Sequence, residues 1–265
     1  MSAGRSGRER PHAGEEAAEQ PLIAHLIELR DRVLRALIGV AIVFVPMAFF
    51  AQELYIFAAA PLMTLLPEGT SMIATDVASP FFAPFKLAAL GALVVALPWV
   101  LYQIWSFVAP GLYLQEQRLV MPLLASSTLL FYAGMAFAYF VVFPVVFGFF
   151  ISVAPEGVAV MTDISRYLNF ALGMFLAFGV AFETPIAIVL MVWSGFTTPG
   201  ALAAKRPYVL VGLFVIGAFL TPPDIVSQTM LALPAYLLYE VGILAARWIV
   251  PGSAEVDAQR ESDDS

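Results

Sequence analysis

Two stretches of this chain are too long without charge for a water-soluble fold of its size. Residues 87–115 and 119–155 contain no Asp, Glu, Lys or Arg, giving uncharged runs of 29 and 37 residues. A helix needs about 20 mostly apolar residues to cross a hydrocarbon core of about 30 Å. Each run can therefore hold a membrane span with residues to spare. Composition agrees: 61% of the 265 residues are hydrophobic and 12% are charged, where a soluble domain carries about 25% charged residues.

Four further spans follow from the same criterion. Residues 36–52 are uncharged and their apolar register extends back to Val33. The second span runs from 87 to near Trp105, an interfacial aromatic. The third lies in 119–155 and the fourth covers 168–193 with one charge, Glu183. Residues 208–220 form a short fifth span, about 20 Å at 1.5 Å per residue, stopped by Pro222 and Pro223. The sixth covers 226–248, with Glu240 near its end. The sequence thus predicts an all-α integral membrane protein of six transmembrane helices, the last two short.

Basic residues set the orientation. With six spans, the tails and even-numbered loops hold Arg5, Arg8, Arg10, Arg30, Arg32, Arg35, Arg118, Lys205, Arg206, Arg247 and Arg260. The other side keeps only Lys86 and Arg166. Eleven against two is a strong positive-inside bias and predicts that both termini are cytoplasmic. The formal charge of −7 does not oppose this, because nine of the acids lie in the tails. Residues 1–20 read as a disordered cytoplasmic tail and not as a cleavable signal peptide. Residues 21–248 read as the membrane domain, and 249–265 as a disordered acidic tail. Leu22, Leu26, Leu29 and Val33 fall at helical spacing, which predicts an amphipathic interfacial helix over 21–35 that turns into the first span.

Several chemistries have no residues to run on. There is no cysteine. The only histidines are His12 and His25, both before the first span, so an intramembrane serine hydrolase or HExxH metalloprotease lacks its base or ligands. Lys86 and Lys205 sit in no glycine-rich phosphate loop. The expectation is a protein that is not an enzyme, holds no metal or cofactor, binds no nucleic acid, and acts through binding, partners or an ion gradient. No internal repeat of the transporter kind is visible.

Four acids stand out against this background. Glu28 is spaced to pair with Arg32 at i,i+4 on a polar helix face, worth a few tenths of a kcal/mol. Glu116 reads first as a solvated loop acid between the second and third spans. Both also lie at membrane level on the predicted cytoplasmic side, where a carboxylate can grip a guanidinium bidentately. Glu183 is ten residues before Trp193, about 15 Å below that interface. There it is either a functional group or a protonated acid bonded within the bundle, with carbonyls freed by Pro185 as partners. Asp224 reads as the N-cap of the sixth span.

Seven motifs in order resemble the TatC family of twin-arginine protein translocases. They are Pro21-Leu22-Ile23-Ala24-His25-Leu26-Ile27-Glu28-Leu29-Arg30; Met72-Ile73-Ala74-Thr75-Asp76-Val77-Ala78-Ser79-Pro80-Phe81-Phe82; Phe107-Val108-Ala109-Pro110-Gly111-Leu112-Tyr113; Gly134-Met135-Ala136-Phe137-Ala138-Tyr139-Phe140; Phe182-Glu183-Thr184-Pro185; Lys205-Arg206-Pro207-Tyr208; and Leu220-Thr221-Pro222-Pro223-Asp224. The resemblance covers about residues 20–248 and implies a glove-shaped concave bundle in the bacterial inner membrane. It implies recognition of twin-arginine signal peptides and export of folded cargo with TatA and TatB, in an oligomeric TatBC complex, driven by the proton-motive force. Carried over, Glu28 and Glu116 would bind the two arginines, with Phe107, Leu26, Arg30 and Tyr113 in the same patch. Glu183 and Thr184 would meet a partner helix within the membrane. Pro61, Asp224 and Gln228 would serve structure or partner contact on the trans side. One departure is that Leu114, Gln115 and Gln117 surround Glu116, where family members often carry basic residues. The competing expectation is an ion-coupled small-molecule transporter with Glu183 as its titrating group.

Overall fold

Thirty-seven residues at the N-terminal end form one unbroken helix, α1 (Ala13–Phe49). The interfacial segment and the first span are thus a single element, with no turn between them. Gly39 is what lets α1 lie against its neighbour: a Cβ there would run into the Trp99 ring, and the Trp99 indole donates to the Arg35 carbonyl at 3.0 Å.

The computed structural model describes residues 13–65, 71–108, 120–153, 155, 161–220 and 224–250, with side chains from His25 onward except at 108, 120 and 220. After α1 come α2 (Ala51–Met63), α3 (Ser79–Val108) and α4 (Val120–Phe137). A π-helical turn at Ala138–Val142 joins α4 to α5 (Phe143–Ser152). Then follow α6 (Ile164–Phe182), α7 (Thr184–Trp193), α8 (Pro199–Ala204), α9 (Arg206–Leu220) and α10 (Ile225–Ile249). Among the described residues no strand occurs, and their one β-type pairing is an isolated bridge between Ile73 and Asp163.

Among the described residues, five helical stretches are long and apolar enough to cross a membrane: His25–Phe49, Ser79–Phe107, Met121–Ser152, Ile164–Trp193 and Ile225–Ile249. The segment expected from the sequence to form a short fifth span is α9, an apolar helix of 15 residues, shorter than these five. The sixth is not short. It runs 25 residues because Pro234 sits inside α10 without ending it.

Packing centres on α6, which meets α3, α4, α9 and α10. Its buried face carries Leu168, Met174, Phe175 and Phe178, against Ala138, Val142, Phe143 and Val146 from the third span. Gly134 allows the close approach of α4 to α6, since any Cβ there would strike the Phe178 carbonyl. Small residues at such crossings are how membrane helices gain van der Waals contact where lipid offers no hydrophobic drive.

Two prolines inside helices free carbonyls that tyrosines take up. Pro61 in α2 has no N–H for the Phe57 carbonyl four residues back, and the Tyr139 hydroxyl donates to that oxygen at 2.9 Å. Pro98 in α3 frees the Val94 carbonyl in the same way, and Tyr132 donates to it at 2.9 Å. In hydrocarbon an unmatched carbonyl costs several kcal/mol, so each tyrosine makes its proline tolerable.

Candidate functional site

Polar chemistry gathers in three places. At the predicted cytoplasmic end, α1 presents Leu26, Glu28, Arg30 and Arg32. Leu26 is 62% exposed. Arg32 donates through Nε at 2.9 Å and Nη2 at 2.7 Å, both to Oε1 of Glu28. The i,i+4 pair expected from spacing is therefore formed. Oε2 of Glu28 accepts from no described residue. Arg30 turns to Asp31 at 2.8 Å. Phe107 closes the end of α3, and its ring stacks on His25 with centroids 4.3 Å apart and planes 20° apart. His25 is three residues before Glu28, so one aromatic contact brings the start of the α1 polar face against the end of α3. Tyr113 and Glu116 lie outside the described residues.

The second place is the break in the fourth span. Pro185 deprives the Ala181 carbonyl of its helical donor, and the chain leaves α6 at Phe182 and resumes as α7 at Thr184. Glu183 sits at the break. Ser127 of α4 donates a short hydrogen bond to its Oε2. Its Oε1 is buried with no partner among the described residues. Thr184, half-buried, opens α7. Gln103 of α3 is also buried, at 4% exposure, and its Oε1 likewise has no described partner. Ser127 and Gln103 escape a reading of the sequence because each is a neutral polar residue in a long apolar run. Only the packing of α3 and α4 gives them a role.

The third place is the predicted trans side. Asp224 caps α10, its Oδ1 accepting from the Ser227 N–H at 2.7 Å. Gln228 donates through Nε2 to the Phe214 carbonyl at 2.6 Å, tying α10 to α9. Pro61 acts through the Tyr139 contact described above. A group missed in the sequence is Asp163, the N-cap of α6. Its Oδ1 accepts from the N–H groups of Ser165 and Arg166, and its Oδ2 from the hydroxyl and N–H of Thr75. The Thr75 hydroxyl, then the backbone donors, pull its pKa down to about 2. The Thr-Asp pair before an apolar run was a visible capping signal; the partner in the preceding loop was not.

Among the described residues no three His, Cys, Asp or Glu side chains are grouped to hold a metal. What the fold and its polar groups define is a polytopic helical membrane protein with a carboxylate buried at a helix break. The family described as Sec-independent protein translocase protein (TatC) matches residues 24–234. A TatC protein of Haemophilus influenzae is 55% identical over 246 residues, covering 93% of this chain and 96% of that one. One from Escherichia coli strain K12 is 58% identical over 231 residues, covering 87% and 90%. A crystal structure of the twin-arginine translocase receptor TatC is similar with a TM-score of 0.76 at 35% identity, covering 84% of this chain and 98% of that one. The chain belongs to the TatC family. It is a component of a Sec-independent protein translocase, a multi-pass membrane protein of protein transport.

Proposed function

We propose that this chain is the signal-peptide receptor of its translocase, gripping the paired arginines of a folded cargo's signal peptide with Glu28 and Glu116. Leu26, Arg30, Phe107 and Tyr113 border that grip. The observation that supports it is the His25–Phe107 stack, which draws the polar face of α1 to the end of α3, where the loop carrying Glu116 begins. Two adjacent guanidiniums each offer a rigid fork of donors suited to a carboxylate. Glu28 keeps Oε2 for one of them while Arg32 occupies Oε1.

In this reading the chain has six spans, with α9 the fifth, in a glove-shaped concave bundle in the bacterial inner membrane. Both termini are cytoplasmic, and the tails 1–20 and 249–265 flank the membrane domain. Glu183 and Thr184 meet a polar residue on a single-span partner, TatA or TatB, within an oligomeric complex powered by the proton-motive force. The unpartnered Oε1 of Glu183 is the feature that favours such a contact. Pro61, Asp224 and Gln228 shape the trans-side helix ends that a partner would meet.

The test is photo-crosslinking of a twin-arginine peptide to the intact membrane protein, with a twin-lysine peptide as control. Crosslinks at α1 and the α3–α4 loop are expected from the arginine peptide only, because lysine cannot supply the bidentate geometry. Equal crosslinking of both peptides would defeat the assignment.

A further inference from the structure

Lys86 and Arg166 are the two basic residues that the charge bias leaves on the trans side. They are far apart in the chain, yet the fold brings them to one place. Lys86 Nζ donates to Asn169 Oδ1 at 3.3 Å. Asn169 follows Arg166 by three residues on α6, where i and i+3 side chains are neighbours on one face. Neither cation is ion-paired with an acid among the described residues. Asp163 is adjacent in sequence to this group, but its two oxygens are already held by Thr75, Ser165 and Arg166 backbone or hydroxyl donors.

A second observation gives their depth. On α3, Lys86 is the last charge before the 29-residue uncharged run. On α6, Arg166 is the last charge before the uncharged residues 167–182. Each marks the hydrocarbon edge on its own helix, and the Lys86–Asn169 bond puts the two edges at one level. Phe81 and Phe82, one turn before Lys86, are 61% and 56% exposed. Exposed apolar rings on this end of α3 face acyl chains, not water, so the cation beside them stands at the membrane and not in the bulk solvent.

We propose that Lys86, Arg166 and Asn169 form a binding site for the phosphodiester of an anionic phospholipid in the trans leaflet. Arg166 supplies a fork to two phosphate oxygens, and Lys86, steadied by the Asn169 carbonyl, supplies a compact second charge. Two cations around one phosphodiester leave an excess positive charge. That excess disfavours phosphatidylethanolamine, whose own ammonium it repels, relative to phosphatidylglycerol. The choice of leaflet rests on the orientation proposed above; the lipid contact itself does not.

The experiment uses the full chain, delipidated in maltoside detergent, with Tm and native mass spectra recorded during titration with phosphatidylglycerol, phosphatidylethanolamine or inorganic phosphate. Phosphatidylglycerol should raise Tm and remain bound, with phosphatidylethanolamine weaker and inorganic phosphate without effect. Combined Lys86→Gln and Arg166→Gln should weaken phosphatidylglycerol binding about tenfold, while Arg247→Gln at the other end of the bundle leaves it unchanged. Arg166→Lys, which keeps the charge and removes the fork, gives an intermediate loss in a variant that folds even if the double one does not. Wild-type lipid retention in all the Lys86 and Arg166 variants would overturn the site. An equal loss in Arg247→Gln would reduce it to general cation attraction, and an equal response to inorganic phosphate would overturn the lipid as its occupant. Accessibility of tags at the two termini tests the orientation separately, so a reversed topology would move the site to the other leaflet without removing it.

Discussion

Glu28 and Glu183 carry the same carboxylate in opposite settings. Glu28 stands at the end of the bundle with its side chain 38% exposed and an arginine four residues away on its own helix. Glu183 lies at a helix break, held by one serine from another helix, with one oxygen unmatched. Water makes the first pair cheap to form and cheap to exchange, since exposed ion pairs are worth about 0–1 kcal/mol. Burial makes the second contact selective, because an unmatched acceptor in an apolar interior gains from any donor that reaches it. A carboxylate that must capture and release a soluble peptide suits the first setting. One that must hold a partner helix in lipid suits the second.

The comparison breaks most sharply at peptide binding. Glu28→Gln and Glu116→Gln should each lower twin-arginine peptide affinity about tenfold, because a charge-assisted bond is worth roughly 1.5–3 kcal/mol. The double variant should lose about a hundredfold, with Tm little changed. Wild-type affinity in the double variant, measured by fluorescence anisotropy, would remove Glu28 from the receptor role and leave it as a partner of Arg32.

Glu183→Ala should do the reverse, sparing peptide affinity and weakening partner association. Hydrogen bonds between membrane helices average about 0.6 kcal/mol and reach about 1.7, so a loss of about three- to twentyfold is expected. Ser127→Ala should give a smaller loss in the same assay, since it frees the carboxylate without deleting it. Undiminished crosslinking of the partner helix in Glu183→Ala would show that the buried acid serves the fold alone.

Asp163 sharpens the contrast as a carboxylate with all its bonding made, outside the spans. Its folded pKa, about 2, is below the ordinary value near 3.9. Its contribution to stability is therefore complete above about pH 4 and lost as pH falls toward 2. Asp163→Asn should lower Tm by a few degrees at pH 6 and flatten the acid-side loss between pH 4 and 2. Parallel melting curves for both proteins across that range would show that the Asp163 carboxylate adds nothing to stability.

The smallest effect belongs to Arg32. Arg32→Gln removes the guanidinium already seated on Glu28, and an i,i+4 pair is worth about 0.3–0.5 kcal/mol. Peptide affinity should rise about twofold. A fall would mean that Arg32 holds Glu28 in its binding geometry and does not compete for it.

Much of this arrangement was legible before any coordinates. The long spans follow from uncharged length, the Glu28–Arg32 pair from spacing, the Asp224 cap from an acid ahead of an apolar run, and the freed carbonyls near Glu183 from Pro185, although the helix break there was not foreseen. Two readings needed correction. The interfacial segment is continuous with the first span, since no proline or glycine falls between Leu22 and Ile38 to force a turn. The sixth span is full length, since a proline within a membrane helix can be accommodated where neighbouring groups re-satisfy the backbone.

Local order along the chain was enough to give the long apolar spans and the acids worth suspecting, because hydrophobic length, proline and capping act over a few residues; α2, α8 and the start of α3 at Ser79 were not read from it. Tertiary structure alone decided which neutral groups those features meet. Pro61 and Pro98 announce freed carbonyls, but only packing selects Tyr139 and Tyr132 to fill them. Glu183 announces itself, but Ser127 becomes its partner only where α4 crosses α6. Thr75 and Asp163, 88 residues apart, join only where the loop before α3 reaches the head of α6. Such pairs carry no local signature, because a hydrogen bond across helices depends on crossing geometry and not on spacing along the chain.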